Sequence, residues 1–90
     1  VTGKTPPATI ADTATAIRDF LRQRTGTDVP DEQDLFASGL VSSIFAMELV
    51  VHLEQTFGVA ITGSNLKLDN FRTVALMAGL VERLRAGADG

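Results

Sequence analysis

A chain of 90 residues has room for one domain around one small core, and too little for a second domain. With 44% apolar and 21% charged residues it reads as globular rather than disordered, and its net charge of −3 argues against nucleic acid as a partner. The absence of cysteine excludes disulfides and thiolate metal sites, and a single histidine, His52, excludes His-rich metal clusters. No apolar run approaches the roughly 18 residues of a membrane span. The N-terminal residues lack the apolar core of a secretory signal, so a cytoplasmic protein is expected.

In chain order, residues 1–7 read as a flexible tail, because Pro6-Pro7 blocks a helix start before about Ala8. From Ala8 to Arg24, Ile10, Ala14, Ile17 and Leu21 form one apolar stripe at helical spacing. Asp12 in the first turn and Arg22 and Arg24 in the last suit the helix dipole, and Gly26 is a plausible terminator. A long loop, Thr27 to Val41, follows and contains Pro30 and the acidic run Asp31-Glu32-Gln33-Asp34, which reads as a solvated face. So long a loop in so small a domain must pin itself to the core, and Leu35, Phe36 and Leu40 are its candidate anchors.

The second helix is expected from Ser43 to Phe57, closed by Gly58. At roughly 100° per residue, Ala46, Leu49, Val50, Leu53 and Phe57 make a core face. Ile44, Met47 and Val51 make a second apolar stripe about 130° around the same helix, with Ser43 projecting between the two. Glu48, His52 and Gln55 occupy the remaining face, on which His52 reads as solvated. The second stripe has to meet another part of the domain, a partner or a bound apolar chain.

Beyond Gly58, Val59-Ala60-Ile61 and Thr62-Gly63-Ser64-Asn65 read as a connection with a one-turn helix near Ser64 to Leu66. Asp69 or Asn70 is placed to cap a further short turn, and Thr73 to cap a last helix. That last helix carries Val74, Met77, Val81 and Leu84 at core spacing, with Arg83 and Arg85 at its end. Residues 86–90 read as a second flexible tail around a domain spanning 8–85. The expected fold is all-α: a small four-helix bundle of three longer helices and one short one, with a long loop between helices 1 and 2.

The chemistry centres on Ser42-Ser43. A serine hydroxyl is a weak nucleophile without a base, and His52 falls on a different face from Ser43, so internal nucleophilic catalysis has no support. A serine at a helix start is nevertheless well placed to carry a phosphate, since first-turn N–H groups are free and the dipole favours negative charge there. Taken alone, the pair reads first as a helix cap worth about 1 kcal/mol.

The context is more specific. Asp34-Leu35-Phe36, Gly39-Leu40, Ser43-Ile44, Met47-Glu48-Leu49-Val50 and Leu53-Glu54 through Phe57-Gly58, followed by Asp69-Asn70-Phe71-Arg72-Thr73-Val74, resemble the acyl carrier protein pattern over about residues 10 to 85. In that family an Asp-Ser-Leu triplet opens the second helix, and its serine bears 4′-phosphopantetheine. Here the triplet reads Ser42-Ser43-Ile44, so the resemblance makes Ser43 the modified residue. It implies a carrier and not an enzyme. A phosphopantetheinyl transferase moves the arm from coenzyme A onto Ser43, an acyl-loading enzyme forms a thioester on its thiol, and further enzymes act on the cargo.

The family usually has acids where Ser42 and Phe45 stand. Their loss leaves Glu48 and Glu54 on helix 2 and shifts expected partner or cargo contact to Ser42, Ile44, Phe45, Met47, Glu48 and Val51, with apolar contact through Met47 and Val51 foremost. Within the family, Gly39-Leu40-Val41 and Ser43-Ile44-Phe45-Ala46-Met47 look most like free-standing carriers of polyketide and hybrid polyketide/nonribosomal peptide pathways, some of which hold hydroxymalonyl- or methoxymalonyl-type extender units. Polyketide synthase or tailoring enzymes are then partners, with no nucleic acid or membrane, and a discrete monomer is expected. Peptidyl and amino-acid carriers share much of the pattern. A cofactor-free helical module, with Ile44, Met47 and Val51 receiving a partner helix, is the alternative from a different class.

Overall fold

The computed structural model describes residues 10–87. The expected tail at 1–7, the helix start at Ala8 and the end of the second tail lie outside these residues, as does the side chain of Ile10. Three α-helices form the body: α1 (Ile10–Thr25), α2 (Ser43–Phe57) and α3 (Val74–Arg85). Two 3₁₀ turns, Gly63–Asn65 and Leu68–Phe71, lie between α2 and α3. No strand occurs among the described residues, so Val59-Ala60-Ile61 is a connection despite its β-branched character. No described helix is long and apolar enough to cross a membrane.

The helix boundaries follow local chemistry. α1 runs to Thr25, where the Gly26 N–H reaches Arg22 O at 2.7 Å. α2 ends at Gly58, whose φ of 67° turns the chain into the left-handed region while its N–H bonds Glu54 O. Thr73 caps α3 through an Oγ1 that accepts the Leu76 N–H at 3.0 Å. The short turn before it departs from expectation. Lys67 stands at its cap position and no side chain caps it, because Asp69 turns to Arg72 Nε at 2.8 Å and Asn70 donates to Asn65 O.

The core gathers Ile17 and Leu21 of α1, Leu49 and Leu53 of α2, Phe71, and Met77, Leu80 and Val81 of α3, all buried. α1 packs chiefly against α3. Thr13 is fully buried at that contact, its hydroxyl satisfied by donating to Glu82 Oε2 at 2.7 Å. The Val74, Met77, Val81 stripe is buried as read, with Leu84 half-buried; Leu80 joins it from a position the stripe omits.

The long loop between α1 and α2 is pinned as its length demands, by the three expected anchors and two more. Leu35 is fully buried, whereas Phe36 and Leu40 are half-buried, and Val29 and Val41 complete the anchorage. Backbone bonds reinforce it: Leu35 N–H to Arg72 O at 2.7 Å, Val41 N–H to Leu35 O at 3.1 Å and Ala75 N–H to Asp31 O at 3.0 Å. The acidic run is not merely a solvated face, since Asp31 pairs with Arg18 and Asp34 with Arg72.

Two glycines test this account with opposite signs. A Cβ at Gly58 meets no atom within 4 Å, so Gly58→Ala carries only the left-handed backbone penalty and is expected to destabilise by about 1 kcal/mol. Gly79 lies inside α3 with ordinary φ, and a Cβ there would meet only the end of the flexible Arg83 side chain, Nη1 at 3.9 Å, so Gly79→Ala is expected to stabilise by about 0.5–1 kcal/mol. Urea denaturation of the two variants reads both signs.

Candidate functional site

The two serines at the start of α2 have different jobs. Ser42 is the N-cap, with extended φ −90° and ψ 170°, and its Oγ accepts the Phe45 N–H at 3.1 Å. Its carbonyl accepts the Ala46 N–H at 2.9 Å. Ser43 is the first helical residue, exposed, and its hydroxyl makes no hydrogen bond among the described residues. Among the described residues the N–H groups of Ser43 and Ile44 also lack a protein acceptor, as expected where a helix begins. One serine is used by the fold and the other is left unbonded, at the end of α2 where partial positive charge favours an anion.

The preceding loop sets where that hydroxyl stands. The Asp34 carboxylate accepts the Phe36 and Ala37 N–H groups at 3.0 and 2.8 Å and binds Arg72 Nη1 at 3.2 Å. The Ala37 N–H chiefly holds this carboxyl below the usual carboxylate range; desolvation opposes the shift and Arg72 reinforces it. Gly39, at φ 81°, then lets the chain reverse toward Leu40, Val41 and the cap.

The three faces of α2 meet three environments. Ala46, Leu49, Val50, Leu53 and Phe57 are buried, as their spacing requires. The second stripe is not packed within the domain: Ile44, Met47 and Val51 are 78%, 58% and 48% exposed. Beside it, Ser43, Met47, Val50, Leu66, Lys67, Leu68 and Phe71 line a mostly apolar cleft of about 190 Å³. Ser43 therefore borders a cleft whose far wall comes from the turns after α2.

The third face differs from expectation. His52 is half-buried rather than fully solvated; its ring stacks on Phe20 of α1, with centroids 3.7 Å apart and planes 12° apart. Phe45 is half-buried beside Phe20, with centroids 6.2 Å apart, and so belongs more to this packing than to an open partner surface. Arg24 lies over both the Phe20 and Phe45 rings and pairs with Glu48. Glu54 also turns inward in function, accepting the Ile61 N–H at 2.8 Å. Both acids that the sequence leaves on α2 thus have internal partners. Phe20 and Arg24 were missed by the stripe reading, although their spacing of four on α1 places them together on one face. Leu66, Lys67 and Leu68 carried no signal that would bring them beside Ser43.

Residues 14–81 match the protein family described as the phosphopantetheine attachment site. D-alanyl carrier proteins of Streptococcus pyogenes serotype M5 (strain Manfredo), serotype M49 (strain NZ131) and serotype M1 are each 33% identical over 76 residues, covering 84% of this chain and 95% of theirs. The chain belongs to the phosphopantetheine-attachment family, the acyl carrier proteins. It is a carrier bearing covalent 4′-phosphopantetheine rather than an enzyme, and it serves a phosphopantetheinyl transferase and an acyl-loading enzyme.

Two outcomes separate the roles of neighbouring groups. Ser42→Ala removes the cap and is expected to cost about 1 kcal/mol, whereas Ser43→Ala, touching no partner, should stay within about 0.5 kcal/mol of the parent in denaturant titrations. His52 is held below its ordinary range by burial and, secondarily, by Arg24. Its unfolded form therefore binds protons more readily, so stability is expected to fall as pH drops from about 7 toward the lowered folded value. His52→Gln should flatten that part of a stability-against-pH curve.

Proposed function

We propose that Ser43 Oγ is the attachment point of the phosphopantetheine. On this reading the chain presents a thioester-bound acyl group to enzymes of a polyketide or hybrid polyketide/nonribosomal peptide pathway. The single observation supporting the assignment is the division of labour at the helix start: Ser42 Oγ is occupied by the Phe45 N–H, and the adjacent Ser43 hydroxyl is exposed and unbonded. In the transfer, Ser43 Oγ forms a bond to the phosphorus nearer the pantetheine in coenzyme A. The pyrophosphate link breaks, the adenosine bisphosphate leaves, and the hydroxyl proton goes to a base of the transferase, because no described base faces Ser43. The free N–H groups of Ser43 and Ile44 favour the resulting negative charge. The attached arm supplies the thiol that this cysteine-free chain lacks.

The chain contributes tethering and presentation, which raise the effective concentration of the cargo at each partner enzyme. Ile44, Met47 and Val51, exposed beside Ser43, are the surface those enzymes meet. Acids recruiting a basic partner are few there, since Glu48 is paired with Arg24. A specialised pathway with hydroxymalonyl- or methoxymalonyl-type cargo, a cytoplasmic setting and a monomeric state complete this proposal. A second cargo reading, an amino acid, is favoured by the D-alanyl carrier relatives that align over nearly their whole length.

Incubation with coenzyme A and a broad-specificity transferase should add one phosphopantetheine by intact mass. The addition is expected to persist in Ser42→Ala and to vanish in Ser43→Ala; loss in Ser42→Ala alone would move the site. Cargo released by mild base from protein made in its native host then separates a dicarboxylic acyl group from an amino acid.

A further inference from the structure

Seven of the cations of this chain lie among the described residues, and they are not equivalent. Arg18, Arg22, Arg24, Arg72 and Arg85 each pair with a carboxylate, whereas Lys67 and Arg83 have no ion pair among the described residues. The chain is acidic overall, with 11 carboxylate side chains against 8 basic ones, so a cation left unpaired is the exception. The nearest acid in sequence, Asp69, is taken by Arg72 Nε at 2.8 Å. Lys67 is also the sole ionisable residue lining the cleft that Ser43 borders, where its neighbours are Met47, Val50, Leu66, Leu68 and Phe71.

A second cation stands near the start of α2. Arg24 lines the neighbouring concavity with Ser42, Ile44, Phe45 and Glu48, and Ser43 is not among its lining residues. Arg24 is already neutralised by Glu48 and stacked over Phe20 and Phe45. Of the two flanking cations, only Lys67 is both unpaired among the described residues and in the cleft that Ser43 borders.

Resting on the assignment of Ser43 as the attachment point, we infer that Lys67 pairs with the phosphodiester formed there and directs the arm over the apolar Leu66–Leu68 side of α2. Lys67 is a positioning residue: it takes no part in bond making. An ammonium suits this task, being a point charge on a flexible stem that can follow a singly charged phosphodiester while its methylene groups lie along apolar surface.

The phosphodiester does not itself titrate near neutrality, which makes it a reporter of Lys67. The protein is loaded by a transferase, its thiol is alkylated to remove thiolate titration, and the ³¹P shift is followed from pH 8 to alkaline pH. The parent is expected to show an inflection at alkaline pH that is lost in Lys67→Gln. The other lysine, Lys4, is retained in both proteins. A flat profile in the parent, or the same inflection in Lys67→Gln, overturns the role of Lys67. Intact mass distinguishes this from failure at Ser43: if Ser43→Ala still gains the arm the attachment assignment falls, whereas a normally loaded Lys67→Gln leaves it standing.

Discussion

The fold depends on how its longest loop is tied down. Between α1 and α2 the chain has no helix of its own, yet it must deliver the start of α2 to one place on the bundle. Burial of Leu35 and the bond from its N–H to Arg72 O fix that loop to the segment entering α3. Asp34 joins the same junction from its side chain, holding two backbone N–H groups and the Arg72 guanidinium. The ion pairs here are partly exposed and contribute little by themselves. Their value is geometric: they orient a turn whose anchoring energy comes from buried Val29, Leu35 and Val41.

Once that junction is set, α2 can serve three neighbours at once. One face fills the core, a second meets α1 through Phe45, Glu48 and His52, and a third stays open with Ile44, Met47 and Val51. Ser43 stands between the core face and the open one, so its hydroxyl is close to apolar surface without being buried in it. The cap provided by Ser42 lets the following hydroxyl remain uncommitted, as the proposed attachment at Ser43 requires.

Much of this was legible in the residues. Periodicity located α2 at both ends and separated its two apolar stripes, because 100° per residue is a strict geometry and Gly58 is a strong stop. Thr73 was legible as a cap for the same kind of local reason. The failures were tertiary. His52 lies on a face that is polar by composition, and only the approach of α1 supplies the Phe20 ring that it stacks on. Asp69 and Asn70 look like caps locally, but Arg72 and the Asn65 carbonyl compete successfully for their side chains. Val29 and Val41 lack any periodic pattern, so nothing local distinguishes them as anchors. The cleft beside Ser43 was invisible for a related reason, since its far wall comes from residues more than twenty positions later.

The internal engagement of Glu48 and Glu54 has a kinetic consequence. A protein surface that projects unpaired charge accelerates encounter with its complement, and the acceleration fades with added salt. The open ridge of α2 has little such field to project. If partners dock there as proposed, encounter is expected at the unsteered rate, on the order of 10⁵–10⁶ M⁻¹ s⁻¹, with little dependence on ionic strength. Under the docking proposed above, discrimination between enzymes resides in how long each complex lasts once water has been displaced from Ile44, Met47 and Val51.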